Sequence, residues 1–158
     1  MQKQIKIFST LLTVLVLAVS CANTNPNDPT KETNLQQNWK YADGNDGGYN
    51  ITADKVDSLY QGSVSYSVAI KEIAWNADNT SGIIYGQYTT APSYNTGVAN
   101  KYYAIAFKDL TSDTVSISGA YKVNGVSATD TLAEAKTTFT EANGYFVFGD
   151  GSKFIVVK

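Results

Sequence analysis

The sequence predicts an all-β fold: an antiparallel, up-and-down β-barrel of about eight strands with one short helix late in the chain. Three observations predict it. Apolar and polar residues alternate with a period of two over several runs, most clearly Gly62–Asn76 and Thr114–Val123. Clusters of Gly, Asn and Asp separate those runs at hairpin spacing. One stretch, Leu132–Phe139, combines helical spacing with a helix-start signal.

The first element is an address. Lys3 and Lys6 form a positive n-region, and Ile7–Val19 is apolar but for Ser9, Thr10 and Thr13. That run has the length of a signal-peptide core and falls short of the roughly 20 apolar residues that span a bilayer. It closes on Ala18-Val19-Ser20-Cys21, and Cys21 is the chain's single cysteine. Small residues before a cysteine at that place resemble the lipobox of bacterial lipoproteins. Ala18 stands where that family prefers Leu, as in the more permissive lipoboxes of spirochaetes. The resemblance implies that residues 1–20 are removed and that Cys21 carries diacylglycerol and fatty acyl chains such as palmitate. Two or three chains hold a protein on a membrane far better than one, since each buried CH₂ contributes roughly 0.8 kcal/mol. Ala22 and Asn23 are not the aspartate that retains enterobacterial lipoproteins at the inner membrane. The expected location is therefore the cell envelope, with the outer membrane favoured.

Residues 22–37 are polar, hold two of the three prolines and include one aliphatic residue beyond Ala22, Leu35. They bury too little apolar area to offset chain entropy and read as a flexible tether. The barrel domain is then 38–158. Asn38-Trp39-Lys40-Tyr41 is a first short strand, followed by the turn Asp43–Gly48. Tyr49–Thr52 and Val56–Tyr60 are further short strands. In Gly62–Asn76 the apolar set Val64, Tyr66, Val68 and Ile70 changes parity to Ile73 and Trp75, which predicts a β-bulge near Lys71-Glu72. After the turn Asn76–Gly82, Ile83–Tyr88 is apolar on both faces. Thr89–Asn100 is a longer loop, and long loops in compact domains gate sites or touch partners. Lys101–Lys108 and Thr114–Val123 are strands. Thr131 and Glu134 form a capping box for the helix Leu132–Phe139, with Leu132, Ala135 and Phe139 on one stripe. Tyr145–Phe148 and Phe154–Val157 read as a closing hairpin.

Composition excludes several chemistries. All twelve basic residues are Lys; Arg and His are absent. There is thus no Ser-His-Asp or Cys-His machinery, no general base poised near neutral pH, and no His-ligated metal. Without Arg there is no bidentate clamp for phosphate or carboxylate. After cleavage ten Lys face fourteen acids, a formal charge of −4, which disfavours nucleic acid as a partner. The chain reads as a non-enzyme with no cofactor.

The early Trp in Asn38-Trp39-Lys40-Tyr41, the β-meander and the single late helix resemble small bacterial lipocalin-like lipoproteins. Gln37 stands where true lipocalins have a Gly two residues before the Trp. The runs Ser81–Tyr85, Tyr102–Ile105, Phe107–Thr111, Asp130–Lys136 and Phe139-Thr140 look like those of spirochaetal lipoproteins. The resemblance implies a lipocalin-like barrel and a lipid-anchored address, and no active site.

Eleven Tyr and two Trp are the most informative side chains. Aromatics lining a cavity take flat apolar ligands or sugars, and their polar tips orient the guest. Trp39, Tyr66, Trp75, Tyr85, Tyr103 and Tyr121 are the candidate lining, and core and girdle packing of a barrel without a disulfide is the better reading of the same residues. A weaker candidate is calcium: Asp43, Asn45 and Asp54 fall at positions one, three and twelve of an EF-hand-like spacing, but the flanks read as strands. Asp54/Asp57 and Asp109/Asp113 are carboxylate pairs in turns, better read as solvated than as glycosidase pairs. The expected function is a membrane-anchored, non-catalytic binding module for a small apolar or amphipathic ligand in an aromatic-lined barrel. The alternative is a surface or structural protein with a filled barrel that contacts other proteins through its loops.

Overall fold

The computed structural model describes residues 29–158. The expected signal peptide, Cys21 and the first part of the expected tether lie outside the described residues. Eight antiparallel strands follow one another in sequence and in space: β1 (Asn38–Tyr41), β2 (Gly47–Ile51), β3 (Lys55–Tyr60), β4 (Ser63–Trp75), β5 (Gly82–Thr90), β6 (Tyr102–Lys108), β7 (Thr114–Gly119) and β8 (Lys153–Val156). β1 pairs with β8, Trp39 opposite Val156 and Tyr41 opposite Phe154, which closes the sheet into the expected barrel. Closure leaves no strand edge to be protected.

Alternating strand direction gives the barrel two distinct ends. One receives the N-terminal helix α1 (Pro29–Leu35), the β2–β3, β4–β5 and β6–β7 turns and the C-terminus. The other, the mouth, receives the β1–β2 and β3–β4 turns, the loop 91–101 and the long connection 120–152.

Inside, the period of two delivers one residue in two to a common core. Trp39, Ile51, Val56, Val68, Ile84, Ile105, Phe107, Val115, Ile117 and Phe154 are all buried in it. Close approach of the backbone requires glycine at two places. A Cβ on Gly48 (φ +156°) would fall 1.9 Å from the Trp39 carbonyl oxygen, so only glycine lets β2 seat against β1 here. A Cβ on Gly82 would lie 2.6 Å from the Ala74 carbonyl oxygen and 2.9 Å from the Phe107 ring, so this glycine makes room for that ring. The bulge is where the parity change places it: the β4–β5 register passes from Ile70 to Glu72 and skips Lys71. Ile73 and Trp75 thereby join Val68 and Ile70 against the core.

α2 (Leu132–Thr138) starts with the expected capping box, Glu134 N–H donating to Thr131 Oγ1 and Thr131 N–H to Glu134 Oε2. Ala135 and Phe139 are fully buried beside Tyr85, Ala104 and Tyr145, so the helix lies on the outer face of β5 and β6. Lys136 ties it to Glu72 of β4 at 2.6 Å.

Three local expectations change. The tether does not run to Gln37: Pro29–Leu35 is helical, and Leu35 is fully buried beneath the barrel. One apolar residue suffices because a tertiary pocket takes it, and Trp39 Nε1 donates to the Leu35 carbonyl at 3.0 Å. The run Thr114–Val123 stops as a strand at Gly119, leaving Tyr121 and Val123 exposed. Tyr145–Phe148 forms no hairpin with β8, because β8 is paired with β7 and β1. That segment instead lies over the outer face, where Val147 N–H donates to Ser118 Oγ and the Lys108 ammonium sits 4.5 Å from the Phe148 ring centroid.

Candidate binding site at the mouth of the barrel

Each of the six strands β1 to β6 contributes one tyrosine to the inward register: Tyr41, Tyr49, Tyr60, Tyr66, Tyr88 and Tyr103. Strand direction places Tyr41, Tyr60 and Tyr88 late in rising strands and Tyr66 and Tyr103 early in descending ones. All five therefore lie toward the mouth, with Tyr49 at mid-height. The rings pack on one another: Tyr66 meets Tyr88 and Tyr103 edge-on with centroids 5.8 Å away in each case, and Tyr88 stacks on Tyr103 at 5.0 Å. Tyr41 and Tyr49 both rest on Phe154.

The Tyr66 hydroxyl lies close to those of Tyr49, Ser58 and Tyr103. Among the described residues no buried side-chain nitrogen or oxygen lacks a partner. Burial, reinforced by neighbouring phenols, pushes Tyr49, Tyr66 and Tyr103 well above the usual tyrosine range, and burial also raises Tyr88. The cluster is thus neutral, and each hydroxyl remains both donor and acceptor.

Above the Tyr88–Tyr103 stack opens a hollow of about 230 Å³. Its lining comes from the loop 91–101 (Pro92, Tyr94, Asn95 and Val98), from β5 and β6 (Tyr88 and Tyr103), and from the start of the long connection (Ala120, Tyr121 and Ser127). Asn95 Nδ2 donates to Ser127 Oγ at 3.0 Å and joins the two loops across the rim. Tyr94 is 84% exposed and Tyr121 69%. A second rim hollow of about 380 Å³ lies among Tyr41, Asn45, Asp46, Tyr60 and Gln61. A third, about 320 Å³, lies along β7 and β8 and includes Val115 and Phe154.

The six aromatic candidates divide. Tyr66 and Tyr103 belong to the mouth cluster, and Tyr103 and Tyr121 line the first hollow. Trp39 is buried toward the closed end, and Trp75 packs edge-on to Phe107 at 4.9 Å; neither lines any of these hollows. Tyr85 points outward beneath α2, its hydroxyl donating to the Phe139 carbonyl at 3.3 Å. Tyr41, Tyr49, Tyr60 and Tyr88 are legible only by combining strand order with direction, and Tyr94 only through its place in the long loop Thr89–Asn100.

Asp43, Asn45 and Asp54 are not brought together. Asp43 and Asn45 sit in the β1–β2 turn, where Asn45 N–H donates to Asp43 Oδ1 at 3.0 Å. Asp54 lies in the β2–β3 turn at the opposite end, accepting from Thr52 Oγ1 at 2.8 Å. Among the described residues no three of His, Cys, Asp or Glu cluster to hold a metal. Asp54/Asp57 and Asp109/Asp113 lie away from the mouth, and Asp57 is held by Ser67 Oγ at 2.6 Å and Lys55 Nζ at 2.8 Å.

No protein-family model, no curated protein and no solved structure matches the chain.

Proposed function

We propose that this chain is a lipid-anchored binding module of the cell envelope that takes a small amphipathic ligand at the mouth of its barrel, without covalent chemistry. The observation that supports it is the gathering of inward tyrosines toward the mouth, with Tyr88 and Tyr103 lining an uncharged hollow and Tyr66 packed edge-on against both. Such a site offers apolar faces for area burial and fixed hydroxyls for orientation. The bulk of the ligand would rest on the Tyr88–Tyr103 stack and between the loops, and not deep beside Trp39 or Trp75, where side chains are already packed. The N-terminal segment joins the barrel at the closed end. Acyl chains on Cys21 would therefore hold that end toward the membrane and leave the mouth facing away.

Two experiments test the reading. Full-length protein in detergent should gain thermal stability with saturating ligand from a panel of small amphipathic compounds, and the double variant Tyr94→Ala/Tyr121→Ala should lose the gain. An alkyne-tagged palmitate should label the chain in a bacterial host and Cys21→Ser should not be labelled; labelling of both sinks the anchor.

A second reading has its own support. Tyr60, Val64, Tyr94, Tyr121, Val123 and Val126 are exposed apolar or aromatic residues, all around the mouth. A protein partner that covers this rim would bury them, as interaction surfaces do. The thermal panel separates the two, since a rim that only docks proteins gives no small-molecule shift.

A further inference from the structure

We infer that the hollow above the Tyr88–Tyr103 stack is a subsite for one uncharged pyranose ring. The inference rests on the proposed binding role of the mouth and names the ligand class. Six of the nine lining residues carry a hydroxyl or amide tip and none carries a charge. A charged guest would lose hydration there and meet no counter-charge. A purely hydrocarbon guest would desolvate those tips and give them no partner. A neutral sugar matches both halves of the lining, with a C–H face for aromatic rings and an edge of hydroxyls.

Geometry narrows it further. Tyr88 and Tyr103 form a stacked, inward-facing floor, with centroids 5.0 Å apart and planes tilted by 29°. Tyr94 and Tyr121 line the same hollow while largely exposed, as two rings that a guest would cover. Asn95 and Ser127, already bonded to each other at 3.0 Å, present remaining donor and acceptor capacity at the rim. The volume of about 230 Å³ lies below the roughly 300–1,000 Å³ of sites for drug-sized ligands. The hollow has room for one ring.

The test is an amide NMR titration of the full chain in a zwitterionic detergent that contains no sugar. The probes are methyl glucoside, methyl N-acetylglucosaminide, their tri- and tetrasaccharides, glucuronate, indole and laurate. Saturable shifts at Tyr94, Asn95, Tyr121 and Ser127 with a neutral glycoside are expected, with glucuronate at least about tenfold weaker. Tyr94→Ala and Tyr121→Ala should each weaken binding about tenfold, the scale of one lost aromatic contact. Tighter binding of the oligosaccharides would mark a glycan end as the source, and equal binding a free monosaccharide. Shifts with indole or laurate alone would overturn the pyranose subsite and leave a binding mouth standing. No shift at these residues with any probe would overturn both.

Discussion

The two ends of this barrel are built from the same strands and hold opposite chemistry. At the closed end Leu35, Trp39, Ile84 and Phe107 are buried to 1% exposure or less, Trp75 packs on Phe107, and α1 lies beneath them. At the mouth the inward positions are tyrosines, their rings pack on one another, and the rim exposes rings and aliphatic side chains to water. One end spends its side chains on burial, the dominant favourable term in folding. The other keeps polar groups inside and apolar groups outside, a local departure from folding rules that marks functional sites. Stability and recognition are therefore separable along the barrel axis, and mutations can show whether they are.

The largest effect is expected at the closed end. Trp39→Ala removes a ring that is 1% exposed and the indole hydrogen bond to Leu35. It should cost about 3–5 kcal/mol, the usual range for a buried aromatic, measured as a lower urea midpoint with an unchanged m-value. A loss under about 1 kcal/mol would mean that the closed end does not carry the fold. Leu35→Ala should cost about 2–4 kcal/mol, although it lies in a seven-residue helix outside the sheet. If that variant is as stable as the parent in the same measurement, α1 is an appendage and the end is not closed by it.

The mouth should reveal itself through pH. Tyr49, Tyr66, Tyr88 and Tyr103 have raised pKa values in the folded state, chiefly through burial. Their stabilising contribution is complete below the unfolded value near 10 and is lost as pH rises above it, because only the unfolded chain then releases those protons. Urea midpoints should hold steady up to about pH 9 and fall steeply beyond. Tyr66→Phe should flatten the fall by up to about 1.4 kcal/mol per pH unit, with an offset near neutral pH from the lost hydroxyl. An identical slope in the parent and in Tyr66→Phe would show that the phenols titrate freely.

The same contrast explains what could be read in the sequence. Barrel class, strand count and the Lys71 bulge follow from period-two alternation and its change of parity, which are local signals of burial. The α2 cap follows from Thr131 and Glu134. Local signals fail where a distant surface decides. Leu35 is a lone apolar residue until Trp39 and the barrel floor receive it. Tyr145–Phe148 has strand-like residues but no free edge to join, and Tyr121 continues an alternation after its ladder has ended at Gly119. In the candidate site, Trp39 and Trp75 drew notice by size, yet size favoured them for the core. The mouth is written in position: a tyrosine late in β1, β3 and β5 and early in β4 and β6. That pattern emerges only after strand direction is assigned.

The smallest stability effect is the sharpest test of the separation. Tyr94 and Tyr121 are 84% and 69% exposed, lie on loops, and line the hollow. Burial in the folded state is what makes a truncated ring costly, and these rings have little of it to lose. Tyr94→Ala and Tyr121→Ala should therefore shift the urea midpoint by no more than about 0.5 kcal/mol each, as surface substitutions do. The same variants carry the largest expected loss of binding. A stability loss near that of Leu35→Ala would mean that the rim holds the barrel together. The exposed rings would then be structural, and the two ends of the molecule would no longer differ in kind.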